Sequence, residues 1–453
     1  MAIPHNHERQ LSRVPTNHIL TNSGCWLHDS QWIVYDVRSD PAGTVFDSPR
    51  IERIHVPTGR VEILHQAQRD AQVGVVTASP VDNRVVFIQG PEQPTRDWSY
   101  SATHRRGVVL DLHQKPLRCK PLDARQLVAP FTPGALRGGT HLHTFSGDGQ
   151  WISCTYHDAL LAQFDAAPGS PPHDPDQRNI AVSLPEPGPV LVPRTHPRNH
   201  SGTHWSVLVT RTVADPTPGS DEISRAYSDA WIGIDGYHRQ DGTHQRRAIA
   251  YQGDVRTADG QTIAEAFMVD LPSDPRAMTR GGIELLAGTL TTRPAVPPAI
   301  TSRRLTFTSQ HRYPGIAGPR HWLRSSPDGR LIALLKRDLQ GVVQLWTVSP
   351  AGGELRQLTC NPTPIASAFS WSPDGRWLAH VMDGSVCITD AATGQTHRLT
   401  TPQPACFAPS PLACVFAPNG QQIAYLRPQQ QANGRVSNQI FVISTSRKAV
   451  ARV

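Results

Sequence analysis

The sequence predicts an all-β chain folded as a seven-bladed β-propeller that is closed by a strand from its N-terminus. Three observations carry this reading. A short phrase recurs as Arg303-Arg304-Leu305-Thr306, Arg356-Gln357-Leu358-Thr359 and His397-Arg398-Leu399-Thr400, with one distant copy at His18-Ile19-Leu20-Thr21. Ser326-Pro327-Asp328-Gly329 recurs as Ser372-Pro373-Asp374-Gly375 and Ala417-Pro418-Asn419-Gly420, which sets the turn positions 46 and 45 residues apart. That period is the length of a four-stranded blade. Finally, 41 Pro, 34 Gly and only 18% charged residues in 453 favour many short strands over helical bundles.

Taken in order, residues 9–21 supply the closing strand, because the last blade has no Leu-Thr phrase of its own and a ring must hide its strand edges. Blade one spans 22–66 around Trp32-Ile33-Val34-Tyr35, and blade two spans 67–135 around Val85-Val86-Phe87-Ile88. Blade three, 136–200, opens on Gly138-Gly139-Thr140-His141-Leu142-His143 and turns at Ser146-Gly147-Asp148-Gly149. Blade four, 201–306, starts at Thr203-His204-Trp205 and resumes at Arg247, which leaves 212–245 as a rim insertion too long for a hairpin. Blades five to seven, 307–363, 364–402 and 403–446, are the clearest copies. In each, Pro presets φ, the Asp or Asn side chain caps the turn, and Gly accepts positive φ.

No apolar run reaches the length of a membrane span, and the N-terminus shows no basic segment followed by an apolar core, so a cytoplasmic location is expected. The seven cysteines are scattered without a C-x-x-C pair, which points to buried thiols and away from a disulfide framework. The net charge of +7 is spread along the chain without aromatic interleaving. That balance suits a small acidic ligand better than nucleic acid or a membrane. The absence of a G-x-S-x-G element or a phosphate-binding Gly loop argues against a fused peptidase or NTPase.

Blade alignment on the turn Asp yields a site. His141 and His321 each lie seven residues ahead of their turn Asp, and His204 heads its stretch in the same Gly-Thr-His context as His141. His143 lies two residues on, expected on the same strand face as His141. His141, His143, His204 and His321 are therefore candidate ligands for a divalent metal in the central funnel, Mn²⁺, Fe²⁺ or Zn²⁺. The alternative for each imidazole is an ordinary hydrogen bond in the core. Arg137 and Arg320, which flank the His-bearing strands, are candidate catalytic groups together with His143, and Arg324 is a candidate carboxylate clamp. Trp231 and Asp229, in the insertion, suit a sugar platform. Asp36 and Arg38 form another cluster near the funnel, or a pair with each other.

Through its Leu-Thr, Ser-Pro-Asp-Gly and Ile-Ala units, most clearly over residues 300–443, the chain resembles the TolB-like propellers. Its Gly138-Gly139-Thr140-His141-Leu142-His143-Thr144-Phe145-Ser146 stretch is similar to the oligogalacturonate lyases and to a related bacterial propeller family (DUF3748-like). The lyase resemblance implies a manganese ion held by histidines, and β-elimination from a uronate oligosaccharide with a basic side chain removing the C5 proton. The TolB resemblance implies the other reading, a non-catalytic scaffold that holds a protein partner on its rim. A monomer or weak oligomer is expected under either.

Overall fold

The computed structural model describes residues 8–21, 24–280, 283–320, 322–412, 414–431 and 434–445. Seven four-stranded antiparallel sheets follow one another along the chain. Their innermost strands are Asn17–Ile19, Val73–Ala78, Gly138–Phe145, Ile223–Trp231, Arg324–Ser325, Ser370–Trp371 and Cys414–Phe416. Each blade buries apolar side chains against its neighbours: Ile33, Tyr35 and Ile54 of blade one pack with Val415, Ala424 and Leu426 of blade seven.

The repeated motifs have local physical causes. In the Ser-Pro-Asp-Gly turn, the Ser326 hydroxyl donates to Asp328 Oδ1 at 2.6 Å and accepts from the Leu331 N–H at 3.0 Å. Ser146 repeats both bonds with Asp148 and Trp151, at 2.6 and 3.0 Å. The Thr of the Leu-Thr phrase ends the outer strand and reaches back to the third. Thr359 donates to Gln344 Oε1 at 2.7 Å and accepts from the Leu345 N–H at 3.0 Å. Thr306 accepts from the Ala266 N–H at 2.8 Å and Thr400 from the Val386 N–H at 2.9 Å. A buried backbone donor is satisfied each time.

That bond shows which N-terminal residues close the ring, and corrects the expectation for His18–Thr21. The closing strand is Glu8–Gln10, paired with Phe441, Val442 and Ile443 of blade seven. The Ser12 hydroxyl then donates to Gln439 Oε1 and accepts from the Ile440 N–H, both at 2.8 Å. Arg9-Gln10-Leu11-Ser12 is thus the true copy of Arg356-Gln357-Leu358-Thr359, with Ser in place of Thr. His18 and Ile19 instead pair with Val37 and Asp36 as the innermost strand of blade one. Closure by an N-terminal strand holds; Glu8–Ser12, at the start of the expected 9–21 segment, perform it, and the phrase at His18–Thr21 does not.

A second correction concerns blades three and four. Trp205–Leu208 pairs with Asn179–Leu184 as the outer strand of blade three and does not start blade four. The Ser183 and Ser206 hydroxyls bond at 2.8 Å across this pair, and Thr210 supplies the phrase-type bonds to Asn179 at 3.0 Å and the Ile180 N–H at 2.9 Å. Blade three carries long connections at 159–178 and 185–204, so its fourth strand falls late in the sequence. The predicted 212–245 insertion therefore contains the inner strand of blade four, Ile223–Trp231; the part beyond it forms a small hairpin, Tyr237–His238 with His244–Gln245.

Candidate functional site

Three consecutive inner strands share one irregularity. Val75, Leu142 and Ser228 have positive φ values of 55, 54 and 58°, and at each the pairing register shifts between Gly74 and Thr77, His141 and Thr144, or Tyr227 and Ala230. Such a bulge re-aims the side chains on either side of it. In blade three it separates two residues expected on one face. His141 stays half-buried at the central funnel. His143 turns between blades two and three, fully buried, where Nε2 meets Thr140 Oγ1 at 3.0 Å and lies 4.0 Å from Asp123 Oδ1. Burial pushes its imidazole down to about 3. Gly138 and Gly139 allow this strand to run close to its neighbours: a Cβ on Gly139 would sit 2.1 Å from the Ala102 carbonyl.

In an antiparallel blade the start of strand one, the end of strand two and the start of strand three face the same end of the ring. At that end a belt of guanidinium groups surrounds His141. Arg38 comes from blade one, Arg105 from blade two and Arg178 from blade three. All three hold the His141 imidazole down, after burial, which is the largest cause of its well-lowered pKa. Arg320, between blades four and five, is held down by burial and, after it, by the charge of Arg38. Arg225 and Tyr227 of blade four adjoin Arg178.

The acids nearby are already engaged. Asp36 accepts from Arg38 Nε at 2.8 Å and from the Val75 N–H at 2.9 Å. Asp254 takes Arg225 Nε at 3.1 Å and the Tyr227 hydroxyl at 2.7 Å. Asp176 binds His157 at 2.8 Å, and His157 Nε2 accepts from Arg178 Nε at 3.1 Å. Arg105 has no such partner. It is 8% exposed, and among the described residues its Nε has no hydrogen bond and its one hydrogen-bond partner is the Tyr100 hydroxyl at 3.4 Å. Burial lowers its pKa and no carboxylate acts to restore it. Tyr100 stacks on Phe46 at 4.3 Å, and Arg38 lies over the same Phe46 ring at 5.2 Å, so an aromatic pair holds two of the guanidiniums.

Several predicted site residues lie elsewhere or are committed. Arg137 is fully buried and donates through Nε at 2.9 Å and Nη2 at 2.5 Å to Asp158 Oδ2, with a further bond to the Thr289 carbonyl. It ties blade three to a loop and has no open side for a substrate. Trp231 donates its indole N–H to the Thr144 carbonyl at 2.9 Å, which pins blade four to blade three at the end of its strand. Asp229 is buried and accepts from Ser153 at 2.5 Å. Arg324 lines a cavity at the opposite end of the channel. Of the predicted residues, His141, Arg38 and Arg320, with Asp36 paired to Arg38, belong to the cationic mouth.

The metal site fares differently from the funnel. His204 precedes the outer strand of blade three, three strand spacings or roughly 14 Å from the inner one, where Nδ1 bonds Thr203 Oγ1 at 2.9 Å. His143 faces the blade interface, and His321 lies outside the described residues. Among the described residues no three His, Cys, Asp or Glu side chains converge to hold a metal ion. The cations that act on His141 are Arg105, Arg178 and Arg38, and the acids beside them are already paired, so the mouth does not fit a divalent metal.

The family described as "Protein of unknown function (DUF3748)" matches residues 72–200, which include the bulged His141 strand and Arg105. Two solved structures resemble the whole chain. An oligogalacturonate lyase in complex with manganese superposes with a TM-score of 0.53 at 11% identity, over 98% of this chain and 95% of that one. An oligogalacturonate lyase from Vibrio parahaemolyticus gives 0.52 at 9% identity, over 97% and 93%. At such identities the likeness is one of fold. No helix among the described residues is long and apolar enough to cross a membrane. The "Uncharacterized protein YidR" of Escherichia coli (strain K12) is 44% identical over 423 residues, 93% of this chain and 95% of that protein. The chain belongs to the family of that protein.

Proposed function

We propose that the cationic mouth binds the carboxylate of an acidic sugar, and that the protein is a lyase acting on a uronate oligosaccharide by β-elimination. One observation carries this reading: Arg105 is a buried guanidinium without an acidic partner among the described residues, beside His141 and in company with further arginines. A buried cation without a counter-charge is costly, and a ligand carboxylate supplies what the fold leaves out. The same groups suit the reaction. As the C5 proton passes to a base, its electron pair forms the C4=C5 bond, the C4–O bond breaks, and the departing oxygen takes up a proton. Negative charge grows on the carboxylate meanwhile, and fixed guanidinium groups stabilise it. His141 is the imidazole placed to take the proton. The fold likeness to manganese-bound oligogalacturonate lyase supports the substrate class, and manganese enters as one arm of the test.

Purified protein, with and without Mn²⁺, is incubated with saturated and unsaturated digalacturonate and the unsaturated or 4-deoxy-5-keto product is followed. The expected result is product from wild type and a loss of about a hundredfold in kcat/KM for Arg105→Gln. Binding without turnover would replace the lyase by a sugar-binding scaffold. Absence of both binding and product sinks the proposal.

A further inference from the structure

A second cationic pocket lies where the blade-two connection 90–105 meets the blade-three connection 185–204. It encloses about 170 Å³ and is separate from the funnel. Arg105 and Arg106 are adjacent and point to opposite sides, so one segment serves both: Arg105 faces His141 and Arg106 lines this pocket. Arg69, Arg125 and Arg198 complete the set of guanidiniums, and Glu92 is the one carboxylate among the lining residues.

The charges do not balance. Glu92 Oε1 accepts from Arg106 Nη2 at 3.1 Å, while Oε2 is 3.8 Å from Arg69. Arg125 is 4% exposed and spends Nε and Nη1 on the backbone carbonyls of Arg198 and His104, at 3.1 and 2.8 Å. Arg198 likewise bonds the carbonyls of Glu92 and Gln93, at 2.7 and 3.0 Å. Carbonyl bonds use up N–H groups without neutralising charge. Two buried nitrogens at the pocket, Arg106 Nε and His200 Nε2, have no hydrogen-bond partner among the described residues. The Trp98 ring lies 5.2 Å from the Arg125 guanidinium and 5.9 Å from that of Arg198, and so fixes both. Burial, and after it the charge of Arg106, pushes Arg125 down to about 9; Asp123, buried behind the pocket and bonded by the Gly107 N–H at 3.0 Å, acts the other way without restoring it.

We propose that this pocket binds a phosphoryl group, held by Arg69, Arg106, Arg125 and Arg198. Four guanidiniums against one carboxylate leave an excess that a dianion offsets better than a monoanionic carboxylate, and planar forks match phosphate oxygens in pairs. The group arrives either as free phosphate or as the phosphomonoester of a sugar.

Calorimetric titration at fixed ionic strength, with chloride as the baseline, tests this with inorganic phosphate and with glucose 6-phosphate. Arg106→Gln and Arg198→Gln are the test variants, checked for folding by circular dichroism, since Arg125 is too deeply buried to replace safely. The expected result is saturable binding, weakened about tenfold or more in each variant and unchanged in Arg105→Gln. Tighter binding of glucose 6-phosphate identifies a phosphomonoester as the occupant, and tighter binding of phosphate identifies the free ion. The proposal is overturned if neither ligand binds beyond chloride, or if binding survives both pocket variants and is lost in Arg105→Gln, which would assign it to the funnel.

Discussion

Asp229 shows how a bulge turns a polar residue into a stability switch. It follows the positive-φ Ser228, so its side chain is driven between blades three and four, where it meets Ser153. Burial raises its carboxyl to about 6, against the smaller lowering effects of Ser153 and Arg324. Arg324 is pushed down to about 10, so burial disfavours the charged form of both groups. A carboxyl raised in the folded state contributes stability at low pH and loses it as pH climbs from the unfolded value through about 6. Two pKa units correspond to about 3 kcal/mol at neutral pH. Asp229→Asn should therefore melt above wild type at pH 8 and lose most of that advantage at pH 4.5; an equal difference at both would refute the assignment. At this scale the sequence was least legible. Its histidine register found His141, but Arg105 and Arg178 stand on the second and third blades' connections and carry no repeat signature.

Among the elements, the phrase ending in Thr or Ser is the most informative, because its hydroxyl satisfies a buried backbone donor of the third strand. Ser12→Ala should cost about 1–2 kcal/mol, measured by denaturant unfolding, since it leaves the Ile440 N–H without its partner. Ser12→Thr should retain the stability, as Thr fills the same place in blades four to six. Leu11 is 6% exposed and packs into the blade one and seven core, so Leu11→Ala should cost about 2–4 kcal/mol. The same chemistry explains the misplaced boundary at blade four. Leu208-Val209-Thr210 is a degenerate form of the phrase, and reading hydroxyl position ahead of letter identity would have assigned Trp205–Leu208 to blade three. The Pro-Asp-Gly turns were legible because Pro and Gly act through their own backbones.

Across the whole molecule, the ring has two unlike mouths. One carries the arginine belt around His141. The other is a cavity of about 330 Å³ lined by Trp26, Phe145, Ile234, Trp371 and Phe416. Strand geometry makes this division: inner strands run from the cationic end to the Ser-Pro-Asp-Gly end, so residues early and late in each strand serve different openings. Ring integrity rests on a strand of three residues, Glu8–Gln10, backed by an ion pair of Glu8 with Arg427 at 2.9 Å. Removing residues 1–12 should lower the melting temperature and expose the Val436–Ser444 edge to self-association, visible by light scattering. A truncated chain that melts like wild type and stays dispersed would show that the ring does not need this closure.

By itself the sequence determined the β-propeller class, the number of blades and the need for an N-terminal closing strand, because those follow from spacing, turn chemistry and the hiding of strand edges. Only the tertiary structure decided which residues close the ring, that a left-handed bulge parts His141 from His143, and that guanidinium groups from separate blades surround His141. The physical reason is range. Turns and strand alternation are set by neighbours in the chain, whereas a bulge in one inner strand and the meeting of side chains from different blades depend on contacts between segments far apart in sequence.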